Sequence, residues 1–378
     1  MKVGVIVDKW KGTLSAKRAS QIIVDSWASQ DETPVRFIQS PMSDGGEGFG
    51  EIIGQTMGGE SELIASRDAA GKNIDVTWWH ICQKSTGVFE TSESNGLARL
   101  QPNKFHPFSL DTYGVGQVIR HISRMSVDKL FLGIGGSATN DGGFGMARAI
   151  GYKFINSSGN EICKWTDLGS LECIKTPDRR LKDLIGSMEI CVACDVENPL
   201  LGDLGATEIF GPQKGLVKKS DREKAESYLK KLSQVTHKFF GKDHANLPGA
   251  GAAGGLGFGL SAFCGAKFYQ GFQLFADLSD LNSLINECDI IITGEGQLDS
   301  SSLMGKGSGG VLKMCHRVSK PVIIICGAAD LRGDLPDNVI DTWVLSEHFS
   351  ISECFTNTEE VLKKLVQQMS FALDRNSI

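Results

Sequence analysis

Short runs rich in Val and Ile alternate with longer amphipathic stretches from the first residues of this chain. KVGVIV, Lys2–Val7, predicts a strand buried on both faces, as a parallel sheet requires. Ser15–Ser29 predicts a helix, with Ala19, Ile22, Ile23 and Trp27 at helical spacing and Ser15 as its cap. VRFIQSPM predicts a second strand, and GGEGFGEIIGQTMG a loop feeding a second helix, so the chain begins βαβα. The pattern then changes. Glu62–Phe89 predicts strands with a turn near Ala70–Lys72, Thr112–Met125 a helix, Lys129–Ile134 a strand, Phe144–Ile150 a helix and Met188–Ala193 a strand. Ser220–Phe240 predicts a charged amphipathic helix and Leu256–Cys264 an apolar one. Toward the end the opening pattern returns. CDIIITGEG and PVIIICG predict buried strands with the helix Gly309–Arg317 between them, DTWVLS a further strand and Thr358–Asp374 a last helix.

Right-handed crossover units at the two ends of a chain join naturally into one parallel sheet. The expected fold is therefore α/β with two domains. Residues 1–65 plus 287–378 build a doubly wound parallel sheet, and residues 66–286 form an inserted α/β domain with a mixed sheet. The length of 378 residues suits two domains, and no repeat of fixed period is present. A net charge of −6 argues against general binding to nucleic acid or anionic membrane, where a basic surface supplies the affinity. No apolar stretch approaches the roughly 20 residues that span a bilayer. Ten cysteines are too sparse for a disulfide scaffold and suit a reducing, cytoplasmic setting. The one C-x-x-C, Cys191–Cys194, lies in a predicted buried strand and lacks a second Cys or His pair at zinc spacing. The run Val3–Val7 ends at Asp8 and Lys9, too short for a secretory signal.

Glycine changes this picture, with 45 residues gathered in short clusters that shape loops. GIGGSATNDGGFGMARAIG, Gly133–Gly151, follows a predicted strand and enters a predicted helix. GIGGSA formally fits a dinucleotide fingerprint, but no acidic residue follows at the required distance of about 20 positions. Ser137, Thr139 and Asn140 add hydroxyl and amide groups to backbone N–H donors at a helix start, a combination that suits a phosphate. MSDGGEGF places Asp44 and Glu47 after the second strand, where they could hold Mg²⁺ or substrate hydroxyls or merely cap a turn. Lys11, after the first strand, is a candidate partner for phosphate or carboxylate, or a solvated surface lysine. Asp195 lies at the end of a strand, where a base for a hydroxyl would sit, and Lys214 in FGPQKG could neutralise phosphate charge. GAGAAGGLG, Gly249–Gly257, offers small residues for close approach to a ligand or to another helix. TGEGQLDSSSLMGKG is not a Walker A loop, kinase H-R-D and D-F-G signatures are missing, and no G-x-S-x-G elbow is present. Gly-rich loops bearing Lys, Asp, Glu, Ser, Thr and Asn but no His favour phosphoryl transfer, which relies on positioning and charge neutralisation.

The motifs KGTLSA, DGGEG, GIGGSATNDGG, CDVENPLLG, FGPQKG, PGAGAAGGLG and TGEG run in this order along nearly the whole chain. Together they resemble the bacterial glycerate kinase family. The resemblance implies ATP- and Mg²⁺-dependent phosphorylation of D-glycerate, usually at the 2-hydroxyl, by two α/β domains, one flavodoxin-like, with the active site between them. The expected partner is a small-molecule substrate, glycerate or a similar hydroxy acid, with no nucleic acid and no membrane, and the chain is expected to be a monomer or homodimer. Asp8, Lys11, Asp44, Gly45, Gly46, Glu47, Ser137, Asn140, Asp141, Asp195, Asn198, Gln213, Lys214, Glu295 and Lys306 fall on the family's motif positions. Chemistry then suggests Asp195 as base, with Lys11 and Lys214 stabilising charge. Asp44, Gly45, Gly46, Glu47, Asn198, Glu295 and Lys306 are expected to meet substrate, with Asp44 and Glu295 as metal ligands. Gly135, Gly136, Ser137, Thr139, Asn140, Asp141 and Gly251 are expected to meet phosphate or nucleotide. The chain departs from the family at Lys9, at SNGL (Ser94–Leu97), and at Gln297, Ser301 and Ser308, where Arg, Gln and Pro are usual at the last three. An Arg-to-Gln change removes a permanent charge and a bidentate fork. It leaves open a kinase for another small hydroxy acid, and a non-catalytic ligand-sensing relative stands as a third reading.

Overall fold

A computed structural model describes residues 1–28, 35–101, 104–299, 302, 305, 307–330 and 335–375. Along the chain the strands are β1 (Lys2–Val7), β2 (Arg36–Gln39), β3 (Glu60–Arg67), β4 (Asn73–Ile81), β5 (Thr86–Glu90), β6 (Lys129–Gly133), β7 (Lys153–Asn156), β8 (Leu171–Lys175), β9 (Glu189–Ala193), β10 (Lys267–Tyr269), β11 (Ile290–Gly294), β12 (Gln297–Asp299), β13 (Val322–Cys326), β14 (Ala328–Asp330) and β15 (Val339–Val344). They fall into two compact units, Met1–Asp44 with Gly271–Ile378, and Gly45–Gln270. These boundaries lie earlier than residues 65 and 286. The helix Phe49–Thr56 packs on β4 and β5, so it belongs with the middle of the chain. The helix Leu281–Glu287 packs on β1, so it belongs with the ends.

In the first unit, five strands form an all-parallel sheet in the order β15-β13-β11-β1-β2. Numbered within the unit, that is the doubly wound order 2-1-3-4-5, with its switch point between β1 and β11. Val3, Val5 and Val7 of β1 are fully buried, as are Ile292 of β11 and Ile323 and Ile325 of β13. They share a core with the helices Ala16–Ala28 and Thr358–Arg375. The Ser15 hydroxyl accepts from Arg18 N at 3.2 Å, the cap expected from sequence.

The second unit holds a mixed six-stranded sheet, β10-β9-β6-β5-β4-β3. β3, β4 and β5 run antiparallel, while β5, β6, β9 and β10 are parallel neighbours. The sheet's core includes Trp78, Phe89, Leu132 and Val192, and the helices Tyr113–Ile122 and Phe144–Ala149 pack against each other over it. The small antiparallel pair β7–β8 lies against the long helix Lys219–Phe240. FGPQK forms the last turn of the helix Ala206–Lys214 rather than a loop of its own. None of the ten cysteines forms a disulfide, and no described helix is long and apolar enough to cross a membrane.

The Gly/Ala stretch before Leu256 turns out to be packed on protein backbone. Ala253, Gly254 and Gly255 take successive left-handed conformations. A Cβ on Gly254 (φ +69°) would lie 1.9 Å from the Thr139 carbonyl oxygen. Gly254→Ala is therefore expected to cost at least about 2 kcal/mol in urea unfolding, from backbone strain plus a clash that no side-chain movement relieves. Gly159→Ala, also at positive φ (+82°) but in open space, is expected to cost about 1 kcal/mol. Equal losses in the two variants would contradict the crowding argument.

Candidate active site

Three parallel strands of the second unit, β5, β6 and β9, end side by side. The loop after β6 begins at Ile134, and the loop after β9 carries Asp195, half-buried, and Asn198. The segment Gly45–Gly46 lies against both strand ends. Gly135 N donates to the Gly45 carbonyl at 3.2 Å. A Cβ on Gly135 would sit 2.6 Å from Gly46 Cα, and one on Gly45 would sit 2.7 Å from the Ala193 carbonyl. Such closeness requires glycine at positions 45 and 135. The motifs DGGEG, GIGG and CD, far apart in sequence, thus meet at one sheet edge.

The loop from Ser137 to Asn140 is fixed by a buried polar network. Ser137 Oγ lies 3.0 Å from Thr139 Oγ1, receives Asn95 Nδ2 at 3.2 Å and donates to the Ala253 carbonyl at 3.3 Å. Asn140 Nδ2 donates to Thr207 Oγ1 at 3.0 Å. Gly251 N donates to the Asn198 carbonyl at 2.8 Å, and a Cβ there would strike the Pro199 carbonyl, so Gly251 binds this second loop rather than presenting an open surface. Lys214 is buried and donates from Nζ to the Thr139 carbonyl at 2.8 Å. Burial pushes its ammonium down to about 7, and the charge of Asp141 opposes that shift.

Asp141, expected to meet phosphate or nucleotide, is held by protein groups on both carboxylate oxygens. It is fully buried. Its Oδ2 accepts from Thr112 N at 2.9 Å, Thr112 Oγ1 at 2.8 Å and Gly145 N at 2.9 Å, and its Oδ1 from Gly143 N at 3.2 Å. The Thr112 hydroxyl in turn accepts from Met146 N at 2.9 Å. The orphan N–H groups of the helix start at Phe144 are thereby satisfied inside the protein. At that helix start the N–H groups of Gly143, Gly145 and Met146 have protein acceptors. Burial, with the nearby charge of Asp111, pushes the Asp141 carboxyl up to about 6 against these hydrogen bonds.

Sequence reasoning passed over Glu90, at the end of β5. It is buried, its Oε2 accepts from Gly48 N at 3.0 Å and Gly50 N at 3.2 Å, and its other oxygen takes the Ser92 hydroxyl. Burial holds its carboxyl above the ordinary range. A glutamate closing the otherwise uncharged strand TGVFE was the available signal. Glu47 is exposed nearby, and Gln213 is exposed on the helix that carries Lys214.

In the first unit, Asp8 and Glu295 follow the last register pair of β1 and β11, Val7 with Gly294, at the switch point. Asp8 is buried and its N–H donates to the Gly294 carbonyl at 2.8 Å. Burial first, then the charge of Asp8, pushes the Glu295 carboxyl up to about 7, while the hydroxyls of Ser302 and Ser308 oppose the rise. Asp44 faces Lys9, Oδ1 to Nζ at 3.3 Å. The two expected metal residues thus have different surroundings, and among the described residues no three His, Cys, Asp or Glu side chains gather to hold a metal. Lys11 is exposed in a tight turn closed by Leu14 N on the Trp10 carbonyl at 2.9 Å. Gln297 is exposed on β12. Lys306 and Ser301 lie outside the described residues.

The sequence profile described as Glycerate kinase family matches residues 3–374. The glycerate 2-kinase of Escherichia coli K12 is 36% identical over 332 residues, 87% of this chain and 85% of that protein. A glycerate kinase of Halalkalibacterium halodurans is 36% identical over 292 residues, 76% of this chain and 75% of that one. A crystal structure from Salmonella typhimurium LT2, provisionally designated glycerate kinase 2, superposes with a TM-score of 0.82 at 29% identity, covering 100% of this chain and 99% of its own. The protein is an α/β kinase, and its chain belongs to the glycerate kinase family. Family membership implies ATP as phosphoryl donor and glycerate as acceptor.

Asp141→Asn keeps the shape but turns an amide nitrogen toward N–H donors, and is expected to cost about 2 kcal/mol or more in urea unfolding. The folded carboxyl titrates near 6 against an ordinary 3.8. Its contribution to stability is therefore full below about pH 4 and is lost as pH rises through 6. The variant is expected to lack that slope, and an unchanged slope between pH 4 and 6 would assign the titration to another group.

Proposed function

We propose that the protein transfers the γ-phosphoryl group of ATP to the 2-hydroxyl of D-glycerate, forming 2-phosphoglycerate and ADP. The observation that carries this reading is the convergence of Gly45–Gly46, Gly135, the Asp195 loop and buried Lys214 around the ends of β6 and β9. The glycerate 2-hydroxyl oxygen attacks the γ-phosphorus, the bond from that phosphorus to the ADP oxygen breaks, and the hydroxyl proton passes to the Asp195 carboxylate. Lys214 neutralises phosphate charge as it redistributes. Gly135, Gly136 and the Ser137–Asn140 segment form the wall against which the phosphates rest. Asn198 orients the acceptor.

Mg²⁺ binds through one or two carboxylates, with water and phosphate oxygens completing its shell. Asp8 and Glu295, neighbouring acids whose charges oppose each other, fit such an ion, with Asp44 beside Lys9 as the alternative holder. Bound there, the ion would supply positive charge against those acids. A kinase for another small hydroxy acid is the second reading, motivated by exposed Gln297 where the family carries Arg.

In an ADP-coupled assay with Mg²⁺, D-glycerate is expected to give the highest kcat/KM among glycerate enantiomers and related hydroxy acids, with phosphorus NMR locating the product phosphate on C2. A better acceptor in that panel would favour the second reading. Asp195→Asn is expected to lower kcat by about 10²–10⁴. Because burial places Lys214 near 7, its charged form is lost as pH rises, and kcat/KM for ATP is expected to fall through about pH 7. A profile flat from pH 6 to 9 would remove Lys214 from that role.

A further inference from the structure

The second unit contains a half-open cavity of about 410 Å³ that the reading above leaves unassigned. That volume lies within the range of small-molecule sites. Trp79, Glu90, Ser92, Glu93, Arg99 and Gly136 are among its walls. Trp79, on β4, packs one side of its indole on Gly54, where any Cβ would sit 2.2 Å from the ring. The rest of this half-buried ring lines the cavity. Glu93 pairs with the Arg99 guanidinium and accepts from Thr77 N at 3.2 Å, so acid and base are held in place in one wall.

The charge of this wall decides between occupants. Glu47, Glu51 and Glu93, with Glu90 already engaged by Gly48, Gly50 and Ser92, stand against Arg99, the single cation among the described lining residues, so an anion in the middle of the cavity is repelled. Carboxylates facing a cavity instead accept hydrogen bonds from hydroxyl and amine groups, as an acidic residue does for ribose. An indole face beside them suits a flat base, for which stacking is the ordinary mode. The cavity also opens onto the phosphate wall. Gly136 belongs to both, and Leu97 N donates to the Gly136 carbonyl at 2.8 Å, tying the Ser92–Arg99 turn to that loop.

We infer that this cavity takes the uncharged nucleoside half of the phosphoryl donor, its base against Trp79, its ribose hydroxyls toward the carboxylates and its 5′ side toward Gly136. This rests on the reading that the loop Gly135–Asn140 handles the donor's phosphates. Two variants of the full-length protein test it. Trp79→Ala removes the stacking face. Ser61→Trp, at an exposed lining position cross-strand from Trp79, fills the cavity from the surface and leaves the core alone. Each is expected to raise KM for ATP, and Kd for MgADP by titration calorimetry, by about tenfold or more, with KM for D-glycerate within twofold. ATP and ADP constants within twofold of the parent in a folded Ser61→Trp protein would overturn the inference, whatever Trp79→Ala does to stability. Absence of glycerate turnover in the parent, with MgADP binding still weakened by Ser61→Trp, would overturn the proposed reaction and retain the cavity's assignment. A parent that binds no MgADP would overturn both.

Discussion

One buried carboxylate fixes the centre of the second unit. Asp141 receives hydrogen bonds from the backbone at Thr112, Gly143 and Gly145 and from the Thr112 hydroxyl. It therefore ties together the starts of two helices, Tyr113–Ile122 and Phe144–Ala149, that follow different loops. Burial alone would drive such a carboxyl toward its neutral form, and these donors oppose that shift. With this anchor in place, the segment from Gly135 to Asn140 is held between the Ser92–Leu97 turn, the left-handed Ala253–Gly255 stretch and Lys214. The wall proposed to carry phosphates is thus held by internal hydrogen bonds, which is how positioning contributes to phosphoryl transfer.

The first unit concentrates a different kind of constraint. Its parallel sheet delivers Asp8 and Glu295 side by side at the switch point, where a doubly wound sheet opens a crevice beyond its strand ends. Two acids so placed resist joint ionisation, and after burial that resistance is the next cause of the raised Glu295 carboxyl. A cation or a shared proton relieves it.

The buried strands and main helices were legible in the sequence because parallel strands are continuous apolar runs and surface helices carry a one-sided stripe. Lys2–Val7 occupies its predicted residues, and Lys219–Phe240 starts one residue from its predicted position. Less legible were elements whose signal is short or mixed, such as the β7–β8 pair and the helix Ala206–Lys214, where an internal proline reads as a turn. The candidate site was read as a set of loops, because glycine clusters with polar side chains mark strand ends. What each glycine is for was not legible. Gly135, Gly251 and Gly254 admit neighbouring backbone, a demand set by residues distant in sequence. Asp141 illustrates the same limit: local sequence places it in a phosphate-like motif, and only Thr112, from another loop, reveals it as a brace.

That distinction can be measured directly. Amide hydrogen exchange, read by NMR in the nucleotide-free protein, reports whether Gly143, Gly145 and Met146 already have internal acceptors. The account predicts slow exchange at all three without nucleotide and little change on adding MgADP. Fast exchange in the free protein, slowed only by nucleotide, would show that these N–H groups wait for phosphate and would contradict the role assigned to Asp141.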